Sequence, residues 1–224
     1  MTVVLLHAFP LDERMWEPSL PALAEHEVVA PRLYGLGRTM DEWAAAVLAS
    51  FSGPAVFVGA SMGGYCALAA ARRAPERIAG VVLCGSGPHA DTPERHERRA
   101  ATIALARESG AAAVWEAMGE VLFTPESDPE LVEWARSLAL DRTEAELVTA
   151  VAAIRDRPDS TGVYRALGER RLTIVGDRDP FIGAEDALAF DPDAIVLPRC
   201  GHLPSVERTA EVDVLLGEAI ERWT

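Results

Sequence analysis

A doubly wound α/β fold with a mostly parallel sheet is what this 224-residue sequence predicts, on three observations. Short, continuously apolar runs, Val3-Val4-Leu5-Leu6 and Ala55-Val56-Phe57-Val58 among them, read as strands covered on both faces. Helix-forming stretches alternate with these runs, and βα alternation argues for parallel strands with helices on both sides. The segments richest in reactive side chains each follow the C-terminal end of such a run, where doubly wound sheets carry their chemistry.

In chain order, the first strand, Val3–Leu6, leads straight into His7-Ala8-Phe9-Pro10, and a helix is expected around Trp16–Ala24. The strand Val28–Ala30 is stopped by Pro31 and suits a sheet edge, where a missing N–H does least harm. Thr39-Met40-Asp41-Glu42 has the S/T-x-x-E form of a capping box and opens a helix over Met40–Ser50. After the strand Ala55–Val58 comes an alanine-rich helix that runs from Met62 to Arg73 and ends before Pro75, followed by the strand Ala79–Cys84.

The rhythm breaks between Ser86 and Gly168, where helical patterns dominate: Pro93–Ser109, Ala111–Phe123, Pro129–Ala139 and Thr143–Ile154. Gly110, the stretch Pro125 to Asp128, and Asp141 separate them. Residues 87–167 are therefore expected to form a helical cap inserted into a core of residues 1–86 and 168–224. Trp115, Phe123 and Trp134 in these helices read as core rather than pocket. The strands Leu172–Val175 and Ala194–Leu197 complete the sheet.

Gly59-Ala60-Ser61-Met62-Gly63 is the stretch that carries most chemistry. A serine flanked by glycines two residues away, between a strand and a helix, reads as a nucleophile elbow: the turn lifts the hydroxyl above the sheet, and a Cβ at either glycine would clash. Ser61 sits at a helix N-terminus that favours developing negative charge, and the Met62 backbone N–H is the natural oxyanion donor. Two further post-strand segments supply partners. Gly176-Asp177-Arg178-Asp179-Pro180 holds two carboxylates, and Pro198-Arg199-Cys200-Gly201-His202 ends on a histidine. The order is serine, acid, histidine; spacing alone leaves Asp177 and Asp179 both open as the acid.

On these residues the chain resembles an α/β-hydrolase over nearly its whole length. His7-Ala8-Phe9-Pro10, Gly35-Leu36-Gly37-Arg38-Thr39, the Ser61 elbow with Gly64, Gly176-x-x-Asp179 and Gly201-His202-x-x-x-x-Glu207 carry the resemblance. It is similar to small bacterial carboxylesterases, with 3-oxoadipate enol-lactonase-like and cofactor-free haloperoxidase-like hydrolases close by. The resemblance implies Ser61 as nucleophile, His202 as general base and acid, and Asp179, three residues after Gly176, as the orienting acid. It also implies Phe9 and Met62 backbone N–H groups as the oxyanion hole, with no metal or organic cofactor. Three positions depart from the family pattern. Ala8 stands where glycine is more usual, which is awkward if the backbone there needs positive φ. Arg32 replaces a common aspartate, and the β-hairpin that often precedes the first strand is missing.

With 49% hydrophobic and 25% charged residues, the composition is that of a globular domain with a substantial core. Its net charge of −14 disfavours phosphate backbones, so no nucleic-acid partner is expected. All basic residues are arginine, which excludes Schiff-base or Ser-Lys chemistry. Cys66, Cys84 and Cys200 have no metal-ligand spacing and read as inert thiols. No run reaches membrane-spanning length and no signal peptide is recognisable, so a cytoplasmic protein with no membrane partner is expected. His7 is expected to brace the oxyanion segment, and His26, His89 and His96 to lie at the surface.

Arg95, Arg98 and Arg99 have two readings: a solvated face with pairs such as Glu94–Arg98, or a clamp for a substrate carboxylate. For function, a serine hydrolase of a small ester or lactone leads. A lyase or C–C bond hydrolase on the same scaffold, and a non-catalytic ligand-binding relative, are the alternatives.

Overall fold

Six apolar strands pair in the computed structural model, which describes residues 1–223, the Glu120 side chain excepted. They are β1 (Thr2–Leu6), β2 (Glu27–Val29), β3 (Ala55–Ala60), β4 (Ile78–Cys84), β5 (Arg171–Gly176) and β6 (Ile195–Leu197). Their spatial order is β2-β1-β3-β4-β5-β6, and every pairing is parallel. β2 is an edge, as expected, and it is only three residues long, which limits what another strand could pair with. The order reverses beside β1 and β3, so the C-terminal ends of the central strands open onto a shared crevice.

The helices are α1 (Met40–Ala49), α2 (Met62–Arg73), α3 (Pro93–Leu122), α4 (Pro129–Leu140), α5 (Glu144–Arg155), α6 (Thr161–Ala166), α7 (Ala184–Phe190), α8 (Pro204–Glu207) and α9 (Thr209–Trp223). The helix expected around Trp16–Ala24 is instead a 3-10 segment, Glu13–Leu23. Pro18 and Pro21 lie inside it and remove the donors an α-helix needs there. α3 carries the expected division at Gly110, whose φ of 71° and ψ of −162° break the helix without ending it. Helices α6 to α9 were not anticipated. The first three are only four to seven residues long and carry little periodic signal.

The capping box before α1 is half formed. The Thr39 hydroxyl accepts from Glu42 N–H at 3.2 Å, but the Glu42 carboxylate accepts from Arg38 N–H at 2.5 Å, one residue further back than the motif predicts. The complete box is at α5, where Thr143 and Glu146 satisfy each other's backbone N–H groups.

Alternation along the strands divides the core into two layers. Val4, Leu6, Phe57, Val81 and Leu83 face α1 and α2, whereas Val3, Leu5, Val56, Val58 and Val82 face Trp16, Val212 and Leu216. The first layer continues without a gap into α3 and α5, through Ile103, Ala106, Leu147 and Val151. Trp115 and Phe123 are buried in the second layer with their ring centroids 6.4 Å apart, and Trp134 packs against it, as expected of core aromatics. No helix among the described residues is long and apolar enough to cross a membrane.

Candidate active site

The end of β3 feeds Ser61, whose φ of 46° and ψ of −108° place an ordinary side chain in left-handed backbone. Such a conformation costs about 1–3 kcal/mol and persists only where surrounding bonds over-determine it. Here they do. Ser61 N–H donates to Cys84 O at 2.9 Å, while the Ser86 hydroxyl and Gly64 N–H donate to Ser61 O at 2.8 and 3.0 Å. The flanking glycines are needed for close approach: a Cβ on Gly63 would stand 2.1 Å from Leu6 O, and one on Gly59 2.4 Å from Gly64 N.

Two loops bring the other groups to this hydroxyl. Ser61 Oγ lies 2.8 Å from His202 Nε2, and His202 Nδ1 lies 2.8 Å from Asp179 Oδ2. A neutral ring with its proton on Nδ1 donates to Asp179 and accepts from the serine, so a single tautomer satisfies both contacts. The other Asp179 oxygen accepts from Phe181 N–H at 2.7 Å and Ile182 N–H at 3.1 Å, which fixes the carboxylate's orientation. Asp177 faces elsewhere: its Oδ1 accepts from Cys200 N–H at 3.2 Å and ties the acid loop to the histidine loop. Of the two carboxylates left open by spacing, Asp179 is the one at the imidazole.

Several residues with no signal in the sequence hold this arrangement. Leu122 O, at the end of α3, accepts from His202 N–H at 2.9 Å. The Phe181 ring packs edge-on against His202 at 4.7 Å between centroids. Glu207, noticed only as part of a motif, accepts from Gly201 N–H at 2.8 Å, Thr124 N–H at 3.0 Å and the Ser127 hydroxyl at 2.6 Å. It thereby clasps the histidine loop to the turn between α3 and α4.

Met62 N–H is one of the donors that α2 itself leaves unsatisfied. Phe9 lines the same cavity as Ser61 and His202. Among the described residues the non-glycine positions with positive φ are Ser61 and Arg199, so Ala8 needs no glycine-only conformation. Its N–H points to Met15 Sδ at 3.2 Å. Arg32 pairs with Glu146 on α5 at 2.6 Å, so this departure from the family pattern links the loop after β2 to α5.

His7 braces this segment. Nδ1 lies 3.1 Å from Ala8 O, and Nε2 accepts from Leu33 N–H at 2.9 Å. Burial pushes its pKa down to about 4, since a charged ring there would be desolvated. Between that value and the ordinary 6.5, the unfolded chain takes up a proton that the folded one refuses. Stability is therefore expected to fall as pH drops from about 6.5 to about 4, this histidine contributing about 3 kcal/mol of the loss. Proton NMR should show His7 neutral at pH 5.5; a titration midpoint near 6.5 would contradict the assignment.

The three thiols are buried, and burial pushes Cys66 and Cys84 up to about 12 and raises Cys200 as well, so none offers a thiolate. His89 and His96 are exposed and His26 half-buried. Among the described residues no cluster of His, Cys, Asp or Glu is arranged to hold a metal ion.

A cavity of about 300 Å³ opens over Ser61. Its walls come from both the sheet side (Phe9, Tyr65, Phe181) and α3 (Leu105, Val114, Met118). Trp115, Phe123 and Trp134 are absent from its lining.

The family model described as "Alpha/beta hydrolase family" matches residues 3–213. A thermophilic esterase from Thermogutta terrifontis, solved with malate bound, superposes with a TM-score of 0.91 at 31% identity, covering 100% of this chain and 90% of that one. The enol-lactonase from Burkholderia xenovorans LB400 superposes with a TM-score of 0.87 at 22% identity, covering 98% and 91%, a likeness of fold. A pimeloyl-[acyl-carrier protein] methyl ester esterase from Aromatoleum aromaticum is 38% identical over 93 residues, and that match spans only 38% of this chain and 37% of the esterase.

Proposed function

The chain belongs to the alpha/beta hydrolase family, and from that premise we propose that it is a serine hydrolase of small carboxylic esters or lactones. The observation that carries this reading is the unbroken hydrogen-bonded run from Ser61 through His202 to Asp179, at the floor of a cavity. The esterase likeness at 31% identity over the whole chain points the same way.

In this mechanism Ser61 Oγ attacks the ester carbonyl carbon while His202 Nε2 takes the hydroxyl proton. Asp179 holds the Nδ1–H tautomer and stabilises the imidazolium that forms, without itself taking the proton. Charge moves to the former carbonyl oxygen, which the N–H groups of Phe9 and Met62 receive. Such a preorganised donor is worth about 3–4 kcal/mol of barrier. The tetrahedral adduct collapses, the C–O bond breaks, and His202 returns its proton to the departing alkoxide. Water then repeats the sequence on the acyl-enzyme, with His202 again as base, releasing the acid and regenerating Ser61.

Residues 87–167 act as a lid in this proposal. They leave the sheet after β4 and return before β5, and α3 supplies one wall of the cavity. A volume near 300 Å³ is at the small end of ligand sites and favours short acyl groups. The working environment proposed is the cytoplasm.

Turnover of p-nitrophenyl esters from acetate to decanoate tests the activity and sizes the pocket. A fluorophosphonate should label the protein once, at Ser61, with loss of that turnover. Labelling at another residue, or none by folded protein, would refute the assignment.

A further inference from the structure

The cavity over Ser61 has an electrostatic character opposite to that of the molecule. The chain carries 35 acidic residues against 21 basic ones, yet three guanidinium groups (Arg95, Arg98 and Arg99) and no carboxylate line this cavity among the described residues. They recur at i, i+3 and i+4 along α3, and Thr102 and Leu105 continue the same stripe into the cavity. The helix lays three arginines along the wall of the serine's cavity, Arg95 and Arg99 half-buried and Arg98 exposed.

The three arginines are not equivalent. Arg99 is already matched: its Nε lies 3.0 Å from Asp91 Oδ2, and the buried Arg157 takes the other Asp91 oxygen at 2.8 Å. Arg157 in turn stacks over the Tyr65 ring at 3.7 Å, and Tyr65 also lines the cavity. Arg95 spends one N–H on a neutral acceptor, Phe181 O at 2.7 Å, and so keeps its charge while bracing the loop that holds Asp179. The Arg98 side chain makes no hydrogen bond or contact ion pair among the described residues. Glu94, one turn back, is an exposed acidic neighbour. That carboxyl is held below its ordinary range first by the Thr92 hydroxyl, with Arg98 adding a smaller attraction across space.

We infer that Arg98, backed by Arg95, is the specificity-determining anion site of the cavity, and that the substrate is a short ester or lactone bearing a free carboxylate remote from the scissile carbonyl. This rests on the hydrolase reading above and narrows it. A planar guanidinium matches the two oxygens of a carboxylate. The apolar walls formed by Leu105, Val114 and Met118 suit the methylenes between that carboxylate and the reacting carbon. A neutral ester leaves the exposed Arg98 to water alone, whereas a half-ester of a short dicarboxylic acid gives it a charged partner.

The test uses two matched pairs: mono-p-nitrophenyl glutarate against p-nitrophenyl pentanoate, and 4-acetoxybutyrate against butyl acetate. These place the charge on the acyl side and the alcohol side respectively. Wild type should prefer the charged member of at least one pair. In Arg98→Gln that ratio of kcat/KM should fall about 3- to 10-fold, less than a buried charge-assisted hydrogen bond would give because Arg98 is exposed. The exposed Arg107→Gln, on the same helix but outside the cavity, should leave the ratio within about twofold. No preference in either pair, or a preference that survives Arg98→Gln, overturns the anion site while leaving the hydrolase reading intact.

Calorimetry with free glutarate and with inorganic phosphate reads the site without turnover, so it decides the proposal even if no ester is hydrolysed. Glutarate should bind wild type at least about threefold more tightly than Arg98→Gln. Absence of that difference, or tighter binding of inorganic phosphate than of glutarate, overturns the carboxylate assignment. Hydrolysis of none of the four esters, with glutarate binding intact, would refute the hydrolase reading alone.

Discussion

Replacing Ser61 with alanine is expected to abolish ester turnover, lowering kcat by at least about 10⁴-fold while the protein remains folded. The size follows from the serine's position as the attacking atom: without Oγ, His202 has nothing to deprotonate, and only binding and oxyanion stabilisation remain. The fold should tolerate the change because the bonds that hold the elbow run through the Ser61 backbone, to Cys84 O, Gly64 N–H and the Ser86 hydroxyl. Alanine keeps them, although it inherits the positive φ of 46°. The measurement is steady-state hydrolysis of p-nitrophenyl butyrate beside a thermal melt. A mutant with intact melting and more than about a tenth of wild-type kcat would remove Ser61 from the mechanism, since a nucleophile's loss cannot be that small.

The second large effect separates two aspartates two residues apart. Asp179→Asn should cut kcat by about 10⁴-fold, because an amide facing His202 Nδ1 favours the wrong ring tautomer. Asp177→Asn should cost less than about tenfold: its oxygen accepts from Cys200 N–H, and an amide oxygen accepts that bond as well. Measuring kcat for both variants on one ester decides the matter, and the reverse ranking would make Asp177 the orienting acid.

The local chemistry of the chain was legible in one dimension wherever short-range physics decided it. Val3 to Leu6 and Ala55 to Val58 are apolar without interruption because both faces of a parallel sheet are covered, and both are strands. The elbow glycines follow from a turn too tight for a Cβ, and Gly110 marks the break in α3 because a positive φ suits glycine. Short-range reasoning failed where competing local terms were close in energy. Glu13–Leu23 has an apolar period that a helix would use, but two internal prolines tipped it into 3-10 geometry. The Glu42 carboxylate found Arg38 N–H rather than the cap residue.

What the sequence by itself determined was the alternating α/β architecture, a serine on a strained turn, a histidine after the last strand, and a pair of carboxylates able to serve it. Which carboxylate serves could not be read from spacing, because Asp177 and Asp179 share one loop and differ only in where that loop points them. The tertiary structure decided it by directing Asp179 toward the imidazole and Asp177 toward Cys200 N–H. It likewise decided the meaning of Arg95, Arg98 and Arg99. On the helix alone they are a solvated basic face. Only the tertiary placement of α3, packed against α4 and α5, brings that face to the cavity, matches Arg99 to Asp91 and leaves Arg98 without a counter-ion in contact among the described residues. Backbone preferences and patterning act over a few residues and are written locally, whereas the imidazole's partners are set by groups 23 and 141 positions away along the chain, Asp179 and Ser61.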